Sequence, residues 1–189
     1  MPNVLALTAM ETHIRELAAA DYPDFFAYLN AQLAINGKEG YPLFQPVSRD
    51  VVEFPSEKES AFVAGLSRSI GQPGWRRAWV ICNAAGDIMG HVDLRAHVDS
   101  VILHRALLGM GVGKAFRRRG LSRQLLDYVC QWVRDSDGIE WIDIEVLGGN
   151  TPALALYQGA GFEHLCEIQD MYRIDGQPQS VIRMAARFR

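Results

Sequence analysis

In HIREL, residues 13–17, polar and apolar positions alternate well enough to predict a strand. Asp21 then precedes Phe25, Phe26, Leu29 and Leu33 at helical spacing, and Asn36 with Gly37 closes that helix. Residues 36–55, NGKEGYPLFQPVSRDVVEFP, carry three prolines and two glycines, which predicts a long surface connection with a short extended piece at 51–54. Ser56 followed three residues later by Glu59 is a capping-box pattern, and the helix it opens is expected to reach Ile70 before Gly71 and Pro73.

WRRAWVIC and DIMGHVDLRAH, separated by NAAG, predict a strand pair in which Val92 and Leu94 face opposite to His91, Asp93 and Arg95. SVILHRALLGMGV is a further strand. From Gly120 the period changes. Leu121, Leu125, Val129 and Trp132, with Leu126 and Val133 beside them, form one apolar stripe down a helix that ends near Gly138. IEWIDIEVL returns to period two, with Ile142, Ile144 and Val146 on one face and Trp141, Asp143 and Glu145 on the other. A strand, helix and strand without a hairpin between them imply a parallel crossover, and put the turn after Val112 at the C-terminal edge. Asn150 and Thr151 offer helix caps, Pro152 suits the first turn, and ALALYQGA carries the helix to Gly161. FEHLCEIQDMYRI, DGQPQ and SVIRMAARF then read as a closing antiparallel hairpin.

Composition narrows the partners. A chain of 189 residues, 49% hydrophobic, holds one sizeable core and is short for two, so residues 1–189 are expected to form a single domain. A formal charge of -3 gives no general attraction to nucleic acid or an anionic membrane, so phosphate recognition has to be local. The run Arg117, Arg118, Arg119 is such a feature, and without a flanking aromatic ladder it argues weakly for nucleic acid. Cys82, Cys130 and Cys166 are odd in number and widely spaced, match neither a zinc pattern nor a disulfide framework, and read as reduced, buried thiols. No metal is implied. The first 20 residues lack a basic stretch followed by an apolar one, and no apolar run approaches the roughly 18 residues of a membrane span, so a cytoplasmic location is expected.

The turn after Val112 sets backbone N–H groups, a helix N-terminus and a guanidinium cluster at one place, which suits a diphosphate. It is not a Walker A loop, because Leu108 stands at the first glycine position and Ala115 at the Ser/Thr position. Nor is it a dinucleotide fingerprint starting at Gly109, because Lys114 occupies the place of the third glycine. What remains, Val112 followed by Arg117-Arg118-Arg119-Gly120-Leu121-Ser122, resembles the coenzyme A signature of the GCN5-related N-acetyltransferases (GNAT). The family's second hallmark lies downstream in Ile144, Glu145 and Val146, then Asn150, Ala153, Leu156, Tyr157, Gly161 and Phe162. Two positions depart from the pattern: Ser122 replaces a final Gly or Ala, and Arg118 replaces a frequent glycine and is expected in ordinary helical or extended backbone.

The resemblance implies an α/β (α+β) fold with a mixed, mostly antiparallel sheet of about six to seven strands, one parallel strand-helix-strand crossover and helices on both faces. It implies acetyl-CoA as cosubstrate, held by Met110, Gly111 and Val112 through backbone groups, by Arg117, Arg118, Arg119, Gly120, Leu121, Ser122 and Arg123 at the turn, and by Asn150 and Tyr157. Gly109 and Gly111 are read as a bulge or a close backbone approach. Tyr157 takes the role of general acid, against a rival reading as an aromatic that anchors Phe162. Glu145 is the general base by its likeness to ribosomal-protein N-terminal acetyltransferases, against a rival reading as a cross-sheet pair, with Asp93 and His104 as alternates. Loop composition assigns the acceptor to residues 40–55, above all Tyr41, Leu43, Phe44 and Gln45, together with the final hairpin. The implied activity is acetyl transfer to a primary amine of a small molecule or peptide by direct attack in a ternary complex. The competing class is a non-catalytic acyl-CoA binding or sensing module, which Arg118, Ser122 and the lack of an unmistakable base favour. The identity of the amine, the acyl length and a homodimeric state are left open.

Overall fold

A computed structural model describes residues 11–99 and 101–189. Seven strands form one sheet: β1 (Thr12–Glu16), β2 (Arg76–Asn83), β3 (Ile88–Ala96), β4 (Arg105–Val112), β5 (Trp141–Leu147), β6 (Glu163–Ile174) and β7 (Gln177–Arg187). Their order is β1-β2-β3-β4-β5-β7-β6, and among these pairs only β4 and β5 run parallel. Four α-helices accompany them: α1 (Tyr22–Leu33), α2 (Ser56–Leu66), α3 (Leu121–Asp135) and α4 (Thr151–Gly159). None is long and apolar enough to cross a membrane.

The stripe foreseen on α3 is the main core. Leu121, Leu125, Leu126, Val129 and Val133 are buried with Trp79, Ile81, Val92, Leu94, Ile142, Ile144 and Met184 of the sheet. Alternate residues of β2 face the other way: Ala78, Val80 and Cys82 pack with Phe25 of α1 and Phe62 of α2. Helices therefore cover both faces, as the crossover and the hairpins require.

Several local expectations change. Pro55, extended at φ -61 and ψ 135, is the N-cap of α2 and Ser56 is already helical, so Ser56 makes no capping bond to Glu59. The same helix stops at Leu66, where Arg77 Nη1 donates to the carbonyls of Leu66 at 3.4 Å and Arg68 at 2.9 Å. Residues 51–54 form no strand; Phe54 N–H instead donates to Asn30 Oδ1 at 2.7 Å. Cys82 and Cys130 are buried, whereas Cys166 is exposed because β6 is the edge strand. The β6–β7 connection is a two-residue turn with Asp175 at φ 50 and Gly176 at φ 75, the left-handed pair that matches sheet twist.

Candidate active site

β4 and β5 part early. They pair from Arg105↔Trp141 through Leu107↔Asp143, while β4 runs on against β3 to Val112↔Gly90. Gly113 N–H donates to Met89 O at 2.8 Å, and antiparallel alternation then turns the C=O of Leu108 and the N–H and C=O groups of Met110 and Val112 away from β3 toward the opening, the Leu108 N–H being used in the last parallel pair with Asp143. The Val112 carbonyl accepts from Arg117 Nε at 3.1 Å. Leu108 and Met110 thus offer a strand edge to an extended ligand.

The turn at the end of β4 is tighter than its sequence indicates. Arg118 has φ 61 and Gly120 φ 79, both left-handed. The expectation of ordinary backbone at Arg118 is therefore wrong, and a non-glycine residue there costs about 1–2 kcal/mol. The neighbouring residue enforces it: Arg117 is held by the Val112 carbonyl, by Gln32 Oε1 at 3.0 Å and by the Tyr41 ring 4.6 Å below its guanidinium. Arg123 N–H and Gln124 N–H both return to Gly120 O at 3.1 Å, which leaves the N–H groups of Leu121 and Ser122 at the mouth of α3. Arg118, Arg119 and Gly120 are exposed there, with Arg119 also 5.9 Å over the Phe116 ring. The Arg117 and Arg123 guanidiniums turn elsewhere; Arg123 grips Asp127 at 2.8 Å and Gly159 O at 3.0 Å, tying α3 to α4. Arg118, Arg119 and the N–H groups of Leu121 and Ser122 thus lie together at the start of α3, while the guanidiniums of Arg117 and Arg123 bind within the chain.

Asn150 caps α4, accepting from Ala153 N–H at 3.4 Å. Tyr157 is buried with its ring edge-on to Phe162 at 5.9 Å, and burial pushes its pKa well above the ordinary tyrosine value. Glu145 lies on the opposite face of β5, exposed, 2.9 Å from Arg183 of β7. Tyr157 and Glu145 therefore lie on opposite faces of the sheet. His104 sits before β4 at the far end from the turn, its carbonyl accepting from Glu140 and Trp141 N–H.

Residues 34–55 fold between the turn and the final hairpin. Buried Asn36 is the clasp: Oδ1 accepts from Phe44 and Gln45 N–H at 2.8 and 3.1 Å, and Nδ2 donates to Gln45 O at 3.0 Å. Leu43 is core, packed with Leu147, Ile174 and Val181. Arg49 binds Asp175 in the β6–β7 turn at 2.7 Å, and Lys114 binds Glu39 at 2.5 Å. A pocket of about 210 Å³ opens beside Tyr41, Pro42, Arg49, Leu147 and Gln179. Tyr41 and Phe44 both face Arg117, whereas the Gln45 side chain is exposed.

Residues 46–162 match the family described as Acetyltransferase (GNAT). The chain belongs to this family. No curated protein matches it. Among solved GNAT structures, an acetyltransferase from Streptococcus pneumoniae is 23% identical with a TM-score of 0.78, over 94% of this chain and 99% of that one. Ribosomal-protein-alanine N-acetyltransferase from Brucella melitensis is 18% identical, TM-score 0.76, over 93% and 99%. A Salmonella typhimurium protein described as an acetyltransferase, solved with acetyl-CoA, is 14% identical, TM-score 0.75, over 94% of each chain. At these identities the likeness is one of fold.

Within this GNAT fold the two β4 glycines have a reason that periodicity did not reveal. The β3–β4 register runs unbroken from Gly90↔Val112 to Ala96↔Ala106, so neither marks a bulge. A methyl group at Gly109 would overlap Asp93 Oδ2 and come 3.0 Å from Arg95 Nη1; at Gly111 it would meet His91 Cε1 and Tyr28 Oη, each at 3.2 Å. The glycines make room for a buried polar row. Asp93, 3% exposed, receives Arg76 Nη1 at 2.5 Å and Arg95 Nη1 at 3.4 Å on one oxygen. His91 Nδ1 and Tyr28 Oη share a 3.1 Å hydrogen bond, and burial pushes the imidazole down to about 4 and the phenol well up, leaving both neutral. Polar residues at alternate β3 positions opposite glycines in β4 are the signal that could have found this row.

Proposed function

We propose that the protein transfers the acetyl group of acetyl-CoA to a primary amine of a small molecule or peptide, by direct attack in a ternary complex. The observation that carries this reading is the early parting of β4 from β5 at the same end of the sheet as the anion cradle of α3. The residues fit coenzyme A: Leu108 and Met110 present a strand edge for an extended arm, and Arg118, Arg119 and the N–H groups of Leu121 and Ser122 suit a diphosphate. Acetyl-CoA supplies the acetyl group as an activated thioester.

The N–C bond forms as the C–S bond breaks, the amine proton leaves to a carboxylate, and the thiolate gains one from a phenol. Tyr157 is the acid in this reading, because burial keeps its hydroxyl protonated, and anchoring Phe162 is compatible with that role. Glu145 is the base, exposed on β5; Arg183 holds its Oε1 from Nε at 3.0 Å and Nη2 at 2.9 Å, which leaves Oε2 to receive a proton. That pair is also what favours the second reading, a binding or sensing module without turnover.

Release of CoA thiol over a panel of amines and peptide N-termini separates the two. Turnover is expected, with Tyr157→Phe lowering kcat by about 100-fold. Tight binding of acetyl-CoA with no turnover on any acceptor would favour the module, and an unchanged kcat in Tyr157→Phe would remove the acid assignment.

A further inference from the structure

The polar row on the face of the sheet that α1 and α2 cover is unevenly charged. Arg105 is matched by Asp143, which also holds His97 at 2.9 Å, and Arg183 is matched by Glu145. Among the described residues Asp93 alone faces two guanidiniums. Its close partner is Arg76, mostly buried, whose pKa is lowered by desolvation and further by Arg95, and whose guanidinium also lies 4.2 Å over the Phe62 ring. Arg95 is the loose partner at 3.4 Å, and among the described residues its Nε and Nη2 make no hydrogen bond. One positive charge is left over, on a side chain 34% exposed.

Its position gives that charge a use. Arg95 Nη1 lies over Gly109, where β4 has just left β5, one residue before Met110. Gly109 has no side chain to push the guanidinium away, and Asp93 holds it from beneath. An acceptor amine brought to this stretch of β4 therefore comes up beside a fork of unpaired N–H donors. Such a fork matches a carboxylate or phosphonate in two parallel hydrogen bonds, and repels a second ammonium.

We propose that Arg95 is an anion-binding residue of the acceptor site, and that the acceptor is a small amine bearing a negatively charged group, an α-amino acid in the simplest case. This rests on the acetyl-transfer reading for its chemistry, but binding tests it separately. CoA-loaded protein is titrated by calorimetry with each of the common α-amino acids and aminophosphonates and with the matching uncharged amides, and the same pairs are offered with acetyl-CoA for turnover.

At least one acid should bind about tenfold or more tightly than its amide, the difference made by charge-assisted hydrogen bonds. Arg95→Gln should abolish that preference, raising KM for the acid more than it lowers kcat and more than it raises KM for the amide; Arg95→Lys should keep part of it. An unchanged thermal midpoint in both variants excludes misfolding as the cause. Equal binding of every acid and amide, binding of neither, or a preference that survives Arg95→Gln overturns the proposal. Acid-selective binding lost in Arg95→Gln but without turnover would uphold it and defeat the acetyl-transfer reading; turnover without preference would do the reverse.

Discussion

Arg117 donates from Nε to the Val112 carbonyl at 3.1 Å, closing the turn at the end of β4 with a residue five positions further on. The same guanidinium reaches Gln32 of α1 and lies over Tyr41, so one side chain couples the anion cradle to residues 34–55. Arg117→Ala should cost about 1–3 kcal/mol, because two part-buried acceptors lose their donor. Arg117→Lys should recover little, since a point charge cannot serve both. Urea unfolding measures the loss; full stability in Arg117→Ala would show that the coupling is idle.

Arg118 occupies a left-handed conformation at φ 61. Arg118→Gly should relieve that strain and stabilise the fold by about 1 kcal/mol after the added entropy of the unfolded chain. It should also weaken acetyl-CoA binding, because an exposed guanidinium at the cradle is removed. A paired measurement of urea midpoint and cofactor affinity is decisive: the two should move in opposite directions.

His91 links acidity to stability. Its folded pKa is pushed down by burial to about 4 from an ordinary 6.5, so the unfolded chain takes up a proton that the folded chain refuses. The stability this neutral histidine permits is complete above pH 6.5 and is lost as pH falls toward 4. The loss should approach about 3 kcal/mol across that window. His91→Gln, measured by urea unfolding from pH 7 to pH 4, should flatten this part of the profile; an equal slope in the variant would assign it to the carboxylates.

Gly109→Ala places a methyl group on Asp93 Oδ2. Displacing Asp93 from Arg76 leaves a buried charge poorly compensated, and the cost should be about 3 kcal/mol or more. Gly159→Ala, where a methyl group has nothing within 4 Å, should stay within about 1 kcal/mol of the parent. Thermal unfolding of the two variants side by side checks whether space, and not glycine content, sets the penalty.

Much of this architecture follows from local pattern. The period of 3.6 in residues 121–133, the period of 2 in residues 141–147 and the caps at Asn150 and Pro152 place α3, β5 and α4 close to where they form. The turn motif locates the cradle for the same reason, since its N–H groups belong to consecutive residues. Contacts across long sequence separations are a different matter. Insertion of β7 between β5 and β6, and the pairing of Glu145 with Arg183, depend on which strand wins an edge, and alternation looks the same beside any neighbour. Arg117 and Arg123 look alike in a basic run, yet Gln32 and Asp127 claim their guanidiniums. Gly109 and Gly111 carry no side chain to signal a partner; only when β3 lies against β4 does the space they leave fill with Asp93, Arg95, His91 and Tyr28. Sequence determined the elements and the position of the arginine-bearing turn, because those are encoded by neighbours in the chain. Tertiary structure decided which charges face the opening and which are cancelled, because packing between distant segments sets that balance.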